Sequence, residues 1–283
     1  TPALTDTQAL SIVAQDPSIY YVAMTGDDGD DGSITTPWLT VQHAVDTIGP
    51  GDTIIVRDGT FVGGTITISG QADGVKTLRA ENAGLALLNE PGPTSEENAI
   101  IEVTGPSVNY WVVDGFEIDG SDNQYGGVEM SNVDHVTISN NTCHNTLDCA
   151  ICGEIAADCL IENNTLYSGS SGGIRLSGGG DAPVVRGNLI YSNALGAITI
   201  TGDEVPGSDG LVTGALLEKN ILRDNLATPM AFDGMCDSRV INNLVYNNRS
   251  HGMTFLAVDA NEGSSRNLVY NNTVSVPANG YWA

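Results

Sequence analysis

Side chains that can transfer a proton or hold an anion are few in this acidic chain, and three of them attract attention. The 283 residues include 35 Asp and Glu but only 10 Lys and Arg. Arg175 can pair with a carboxylate through two parallel N–H groups, His251 can carry a proton near neutral pH, and Asp233 can accept one. We predict that these three are catalytic residues, provided that the fold places them on one surface.

Oxygen-bearing side chains near these positions define two further candidate groups. The substrate-binding candidates are Glu129, Glu154 and Thr201. The metal-binding candidates are Asp203, Glu204 and Asp209, all within the segment GDEVPGSDG at residues 202–210. Carboxylates are hard oxygen ligands of the kind that Ca²⁺ prefers. The sequence therefore indicates a Ca²⁺ site beside a binding surface, and a solvated acidic loop is the competing interpretation.

The composition limits the partners that such a site can serve. The formal charge is −25 and the pI is near 4.1, so the surface repels nucleic acid and anionic membranes, which bind basic patches. No run of about 18 apolar residues is present, which argues against a membrane span. Counterions of a saline medium screen such self-repulsion. We therefore expect a secreted, extracellular protein.

An internal repeat determines the fold. Six segments share the pattern apolar-x-x-Asn-x-apolar, and their Asn residues are Asn141, Asn164, Asn188, Asn220, Asn243 and Asn272. The intervals are 23, 24, 32, 23 and 29 residues, which describe a constant turn with loop insertions. Repeats of this length that alternate apolar and polar residues are typical of a β-solenoid. We predict a parallel β-helix with turns of about 23 residues.

The recurring Asn has two physical roles in this prediction. It tolerates the left-handed backbone conformation of a sharp corner between strands. When turns stack about 4.8 Å apart, each amide can also bond to the amides above and below it. The 32-residue turn places its insertion at residues 202–210, beside the predicted catalytic and binding residues. Arg175 is then the one basic side chain expected on that outward surface.

A short helix is expected to cover the first turn. In the segment TPWLTVQHAVDTI at residues 36–48, Thr36 is the predicted N-cap and Pro37 the first helical residue. The apolar positions suit an amphipathic helix that shields the open end of a solenoid. We therefore divide the chain into an N-terminal segment with a capping helix, residues 1–50, and a β-helix, residues 51–283.

Other reactive side chains are assigned structural roles. Lys219 directly precedes a corner Asn, which places it in a turn, and Glu162, Arg186 and Glu218 form a column of alternating charge. Of the five cysteines, four lie close together as C-x5-C-x2-C-x6-C, beginning at Cys143. A zinc site, a disulfide and small core residues all remain open for them, and the core interpretation is favoured.

Three stretches near the start resemble the opening of secreted right-handed parallel β-helix proteins, a group that includes pectate lyase-like, chondroitinase B-like and alginate lyase-like enzymes. These are residues 20–27 (YYVAMTGD), 36–45 (TPWLTVQHAV) and 50–61 (PGDTIIVRDGTF), and residues 231–243 (AFDGMCDSRVINN) also resemble such proteins. The resemblance implies an all-β right-handed solenoid. It also implies lyase chemistry in which a basic residue removes a proton beside a uronate carboxylate that Ca²⁺ neutralises.

Three functions are consistent with this sequence. The leading one is an extracellular polysaccharide-active protein that acts as a lyase on a uronic-acid polymer. The alternatives are a non-catalytic glycan-binding or structural surface solenoid and a polyuronate epimerase. The last ten residues, VSVPANGYWA, show no cap, so we expect self-association or further turns at that end.

Overall fold

The repeated turns form three faces of parallel β-strands that wrap around one core, and the first two faces belong to one continuous sheet. The computed structural model describes residues 17–92, 99–120, 126–203 and 205–278. Each turn runs through three strands in order, here called faces 1, 2 and 3, and stacks on the equivalent strands of the next turn. Two long strands, Ala99–Asp114 and Gly126–Ser139, bend through the corner between faces 1 and 2 and belong to both.

The strands of each face pair in parallel along the solenoid axis. Face 1 also contains Gly64–Ile66, Ile151–Ala157, Ile174–Ser177, Ile198–Thr201, Met230–Asp233 and Met253–Leu256. Face 2 also contains Ile19–Val22, Thr53–Val56, Lys76–Ala80, Leu160–Glu162, Val184–Arg186, Leu216–Glu218, Arg239–Ile241 and Leu268–Tyr270. Face 3 consists of Gly59–Val62, Ala86–Glu90, Glu117–Asp119, Thr142–His144, Thr165–Tyr167, Leu189–Tyr191, Ile221–Arg223, Leu244–Tyr246 and Thr273–Val274. A small extra pair, Val212–Thr213 with Met235–Cys236, lies at the corner between faces 1 and 2.

The register confirms the predicted turn length. Thr142 pairs with Thr165, 23 residues later, and Leu189 pairs with Ile221 across the 32-residue turn. Alternate residues of each strand point inward, so Ile138, Ile161 and Val185 stack in the core with no exposed surface. The insertion therefore leaves the stack undisturbed, because it is accommodated outside the strands.

The recurring Asn residues form a buried ladder at the corner between faces 2 and 3. Asn141, Asn164, Asn188, Asn220 and Asn243 are each at most 1% exposed. The Nδ2 of each donates to the Oδ1 of the next at 2.9 to 3.2 Å, ending at Asn272. From Asn164 onward, each Oδ1 also accepts the backbone N–H of the preceding ladder residue, and Asn141 Oδ1 accepts the N–H of Phe116. The predicted amide stacking is thus confirmed.

The predicted left-handed conformation falls one residue earlier than expected. The positive-φ residues at this corner include Asn140, Asn163, Lys219 and Asn242, with φ between 55° and 57°. The prediction that the ladder Asn itself is left-handed was wrong, because its side chain must point into the stack while the preceding residue makes the bend. Lys219 lies in the turn, as predicted.

A second Asn ladder, not predicted from the sequence, lies at the corner between faces 3 and 1. Asn193, Asn225 and Asn248 are at most 4% exposed, and their amides bond at 3.1 and 3.0 Å. Left-handed Ser192, Asp224 and Asn247 precede them. This ladder is confined to the later turns, where the earlier ones carry Thr146 and Gly169, so its sequence signal is short.

The capping helix forms, but it begins later than predicted. Helix α1 spans Val41–Thr47, and its N-cap is Thr40, whose Oγ1 accepts from the His43 N–H at 3.1 Å. Thr36 was the wrong N-cap because the chain at Trp38 is extended. The backbone N–H and C=O of Trp38 bond to Tyr21 and Ala23, and Val22 pairs with Trp38.

The two ends of the described solenoid differ. At the first turns, Val41, Ala44 and Val45 of α1 are buried against the core. At the other end, Phe255 and Val269 are 40% and 45% exposed, whereas Phe232, one turn earlier, has no exposed surface. Self-association or further turns at this end stays a prediction. Among the described residues, no helix has the length and apolarity needed to cross a bilayer.

Candidate functional site

The outward side of face 1 carries a polar strip along the solenoid axis. In one column, successive turns place Glu129, Cys152, Arg175, Thr199, Ala231 and Thr254 side by side. Two residues further along each strand, a second column contains Ser131, Glu154 and Ser177 and, in later turns, Thr201 and Asp233. We call these two columns the face 1 strip. Five of the nine site residues predicted from the sequence lie in this strip, because the strand alternation assigns them to the outward side.

Arg175 is held by an acidic residue of the preceding turn. Its Nη1 and Nη2 donate to Oδ1 and Oδ2 of Asp148, both at 3.0 Å. The two side chains are 43% and 48% exposed, so the pair is reachable from solvent. Asp148 was missed in the sequence because it lies in the connection between faces 3 and 1, where no strand periodicity indicates which way a side chain points.

A disulfide stabilises the segment that carries Asp148. Cys149 and Cys152 are bonded to each other, and Cys152 pairs laterally with Arg175 in the sheet. The disulfide therefore joins the start of the strand beside Arg175 to the residue after Asp148. The favoured interpretation of the four clustered cysteines as small core residues was wrong for these two, which form a disulfide.

The remaining three cysteines are core residues. Cys143, Cys159 and Cys236 are free and buried. Burial raises the pKa of the Cys159 thiol to about 12 and also raises that of Cys143. Since the thiolate is the reactive form, Cys143 and Cys159 are poor nucleophiles in the native protein.

The insertion at residues 202–210 lies at the corner between faces 1 and 2 and contacts a loop of the last turns. Asp203 forms an isolated bridge with Ala260, and the Asn261 amide donates to the Asp209 carbonyl at 3.0 Å. The Asp203 carboxylate accepts from the Thr201 hydroxyl at 2.8 Å, and that of Asp209 accepts from the Leu211 N–H at 3.0 Å. Glu204 lies outside the described residues, and the Ca²⁺ site stays a prediction.

Asp233 is covered by the same loop. It is 5% exposed, and its two carboxylate oxygens accept the N–H groups of Val258 and Asp259 at 2.8 to 3.2 Å. Its carboxylate is thus engaged by backbone donors from the next turn. We assign Asp233 a positioning role, which is to anchor the loop beside the strip.

The structure places the three predicted catalytic residues apart. Arg175 shares a column with Thr254, three turns later, and His251 lies in the same turn as Thr254. At about 4.8 Å per turn, Arg175 and His251 are separated by about 14 Å along the axis. Asp233 lies two turns from Arg175 and in the other column. The three residues are therefore too far apart to form one catalytic centre.

Charged residues outside the strip have structural roles. On face 2, Arg186 Nε donates to Glu162 Oε2 at 2.7 Å, which confirms the predicted cross-turn pairing for these two residues. Lys76 is buried beside Trp111, with Nζ 5.3 Å from the ring centroid. Burial lowers the pKa of Lys76, and the nearby Asp52 carboxylate opposes that shift.

Comparisons with known proteins extend these observations. Residues 20–180 match a family model described as the Pel9A-like, right-handed β-helix region. No curated protein matches the sequence. Among solved structures, XylC in complex with xylose is 14% identical, with a TM-score of 0.65 over 91% of this chain and 64% of that one.

Two further solved structures are similar. Pectate lyase Pel9A is 18% identical, with a TM-score of 0.61 over 94% of this chain and 72% of that one. PfbA, a surface adhesin of Streptococcus pneumoniae, is 14% identical, with a TM-score of 0.63 over 83% of this chain and 67% of that one. This chain spans less than two thirds of the length of XylC. At such identities the similarity concerns the right-handed β-helix fold.

Proposed function

We propose that this chain, which belongs to the family of Pel9A-like right-handed β-helix regions, is an extracellular protein that binds a polysaccharide along the face 1 strip. The solved neighbours include a xylose complex and a pectate lyase, and this gives the proposal its ligand class. A linear polymer fits a surface whose side chains repeat once per turn along one axis.

The Arg175–Asp148 pair is the observation that carries the proposal. A guanidinium has five N–H donors, and Asp148 uses two of them. Three donors remain for sugar hydroxyls, and the carboxylate oxygens of Asp148 retain lone pairs for hydroxyl donors. Because the pair is already ionic and ordered, it offers paired donors and acceptors without the entropy loss of arranging a free arginine.

Calcium has a defined place in this proposal. Glu129, Glu154 and Asp148 make the strip acidic around Arg175, so a polyuronate is repelled unless a cation intervenes. Hard oxygen ligands of this kind bind Ca²⁺, which can bridge the protein to a sugar carboxylate. We expect polyuronates to bind in the presence of Ca²⁺ only, and neutral glycans to bind with or without it.

A matched pair of variants tests the site. Arg175 and Arg186 are equally exposed, at 43% and 44%, and each pairs with a carboxylate of the preceding turn, but Arg186 lies on face 2. We expect Arg175→Ala to weaken binding of alginate, pectate or xylan about tenfold, the equivalent of one charge-assisted hydrogen bond, and Arg186→Ala to leave it unchanged. Calorimetric titration with and without Ca²⁺ measures both. Equal affinities for the two variants, or no binding to any polymer, would refute the proposal.

A polysaccharide lyase is the second candidate. Membership of this family favours it, and His251, in the turn that carries Thr254 at the end of the strip, is the proposed proton carrier. Absorbance of the unsaturated product on polyuronates with Ca²⁺ detects this activity. His251→Ala is then expected to abolish product formation while polymer binding persists. Binding without unsaturated product removes the lyase, and an altered polymer NMR spectrum without unsaturation indicates an epimerase instead.

A further inference from the structure

Face 3 and the corners on either side of it differ in charge from the rest of this acidic chain. In its last five described turns, the chain crosses this face at residues 163–171, 187–196, 219–228, 242–251 and 271–278. These segments contain three basic residues, Lys219, Arg223 and Arg249, but a single carboxylate, that of Asp224. Three positive charges against one negative charge make this surface locally cationic, although the whole chain carries −25.

The outward side chains of face 3 form a stacked column. The register places His144, Tyr167, Tyr191, Arg223 and Tyr246 side by side in successive turns. The rings of Tyr167 and Tyr191 are nearly parallel, at 8°, with centroids 5.0 Å apart. His144 stacks on the other side of Tyr167, and the Arg223 guanidinium carbon lies 4.3 Å from the Tyr191 centroid. Since neighbours cover the ring faces, the tyrosines present ring edges and hydroxyl groups to a ligand.

Arg223 is held in place with most of its donors still available. Its Nη1 donates to Asp224 Oδ2, and Asp224 Oδ1 accepts from the Asn247 amide of the next turn at 3.1 Å. A guanidinium has five N–H donors, so this bond leaves the majority of them for a ligand. The side chain is 31% exposed, and its contact with the Tyr191 ring restricts its orientation. A preorganised arginine of this kind suits bidentate recognition of a carboxylate.

Arg249 provides a second guanidinium, one turn further along. It is exposed, and together with Asn247, Asn248 and Ser275 it lines a cavity of about 200 Å³. Guanidinium, amide and hydroxyl groups are all donors to a carboxylate. The cavity therefore offers a second position for an acidic group, displaced along the solenoid axis from Arg223.

The neighbouring side chains of this surface are apolar or basic. Ile221 and Leu244, in the adjacent outward column, are each 38% exposed. At the corner between faces 2 and 3, Lys219 is 67% exposed, and its Nζ lies 3.8 Å from Oε2 of Glu218. An exposed ion pair at this distance is weak because solvent screens it, so the ammonium group of Lys219 can also bind an anion.

We propose that the face 3 patch, which comprises Tyr191, Lys219, Arg223, Tyr246 and Arg249, binds the carboxylates of a polyuronate directly. The ligand class rests on the proposed polysaccharide-binding function, and charge complementarity favours an acidic polymer on this face. The Ca²⁺ requirement for polyuronates applies to the acidic face 1 strip, whereas the face 3 patch supplies its own cations. At physiological ionic strength, exposed charges more than about 8 Å apart are largely screened, so the local positive charge outweighs distant carboxylates.

Calorimetric titration of pectate oligomers into the full-length chain in EDTA tests the face 3 patch separately from the face 1 strip. We expect binding without Ca²⁺, and we expect Arg223→Ala to weaken it about tenfold, the equivalent of one charge-assisted hydrogen bond. Arg249→Ala, at an exposed corner outside the stacked column, is expected to weaken it as well. Arg239→Ala is the matched control, because Arg239 is also exposed and removes the same charge but lies on face 2.

Xylan binding distinguishes failure of this proposal from failure of the proposed function. Xylan is neutral, so its binding reports on the face 1 strip and is expected to be equal in Arg223→Ala and the parent chain. If xylan binds but pectate oligomers in EDTA do not, the function proposed for the strip stands and the face 3 patch has no such role. If pectate binding in EDTA depends on Arg223 while Arg175→Ala affects no polymer, the face 3 patch stands and the strip does not.

Two further results would overturn the proposal. Equal weakening by Arg223→Ala and Arg239→Ala would reduce the effect to net charge. Sedimentation of the parent chain and of Arg223→Ala tests the remaining occupant, a second copy of this chain. A dimer that Arg223→Ala dissociates would assign the face 3 patch to self-association, whereas equal sedimentation of the two proteins leaves the patch to the polymer.

Discussion

The Asn ladder between faces 2 and 3 and the outward strip of face 1 are both stacks of side chains, with one residue from each turn. They differ in whether the same residue type recurs from turn to turn. In the ladder, the same side chain recurs in six turns, and each amide is satisfied by the turns on either side. In the strip, Glu129, Cys152, Arg175 and Thr199 follow one another with no repetition. The ladder has the regularity of a structural element, and the strip has the variety that recognition of a ligand requires.

The largest expected effect comes from removing a ladder amide. Asn164 Oδ1 accepts from the N–H and Nδ2 of Asn141, and its Nδ2 donates to Ile138 O and Asn188 Oδ1. Asn164→Ala leaves several buried groups without partners, each worth about 1–3 kcal/mol, so we expect a loss of at least about 3 kcal/mol in the free energy of unfolding. Urea denaturation measures it.

The adjacent residue is the control for this change. Asn163 is exposed and left-handed, with φ of 56°, a conformation that glycine adopts without strain. Asn163→Gly is therefore expected to change stability by less than about 1 kcal/mol. Similar losses for the two variants would mean that the ladder amides contribute no more than an ordinary surface Asn.

Asp233 tests whether a residue of the strip can have a ladder-like role. Its buried carboxylate accepts two backbone N–H groups from the next turn. Asp233→Ala leaves these donors unpaired, and we expect a loss of about 2 kcal/mol together with faster amide exchange at Val258 and Asp259. Exchange at these two amides that matches the parent chain would show that the loop does not depend on Asp233.

A smaller, pH-dependent effect is expected where the chain enters helix α1. Partial burial acts to raise the pKa of the Asp28 carboxyl, but hydrogen bonds from the Thr40 side chain and from the Thr40 and Leu39 backbone N–H groups together outweigh it and lower that pKa. A carboxyl whose folded pKa is below its unfolded value of about 3.9 contributes stability above that pH and loses it as the pH falls. Asp28→Asn is therefore expected to lower the melting temperature at pH 7. The loss in the free energy of unfolding is expected to be no more than about 1 kcal/mol, because solvent screens this partly exposed carboxylate.

The melting temperatures of Asp28→Asn and the parent chain must be measured over a series of pH values to isolate the charge of Asp28. We expect the difference in melting temperature to shrink steadily below about pH 4, as the parent carboxyl itself becomes protonated. A difference that is constant from pH 7 to pH 3 would assign the effect to packing and leave the charge of Asp28 without a role.

The sequence predicted those features of the fold that depend on the internal repeat. The six Asn positions fixed the turn length, the stacking and the inward or outward direction of the strand residues, and the family match agrees with that fold. The alternation of Ile174–Ser177 places Arg175 on the outside, as expected. Within the repeat, the left-handed residue lies one position before the predicted one, because the residue types alone do not distinguish the two members of an Asn-Asn pair.

Contacts between the loops and the strands of neighbouring turns could not be predicted in the same way. Asp148 and Arg175 are 27 residues apart, and Asp148 lies where no period applies. Asp233 was expected to be available at the surface, but the loop at residues 257–259 covers it. Which loop lies over a strand depends on insertion lengths and on single hydrogen bonds, and neither leaves a periodic signal in one sequence.

The smallest expected effect is the change in stability when either of two ion pairs is removed, one at the face 1 strip and one on face 2. Arg175–Asp148 and Arg186–Glu162 are both partly exposed ion pairs, and such pairs contribute about 0–1 kcal/mol because solvent screens them. Arg175→Ala and Arg186→Ala should therefore shift the unfolding midpoint equally little, even though only the first is expected to weaken glycan binding. If Arg175→Ala alone destabilised the fold by about 2 kcal/mol or more, the pair would be a structural anchor for the Cys149–Cys152 segment. Its loss of binding would then follow from a displaced segment, and a direct contact with the sugar would no longer be needed to explain it.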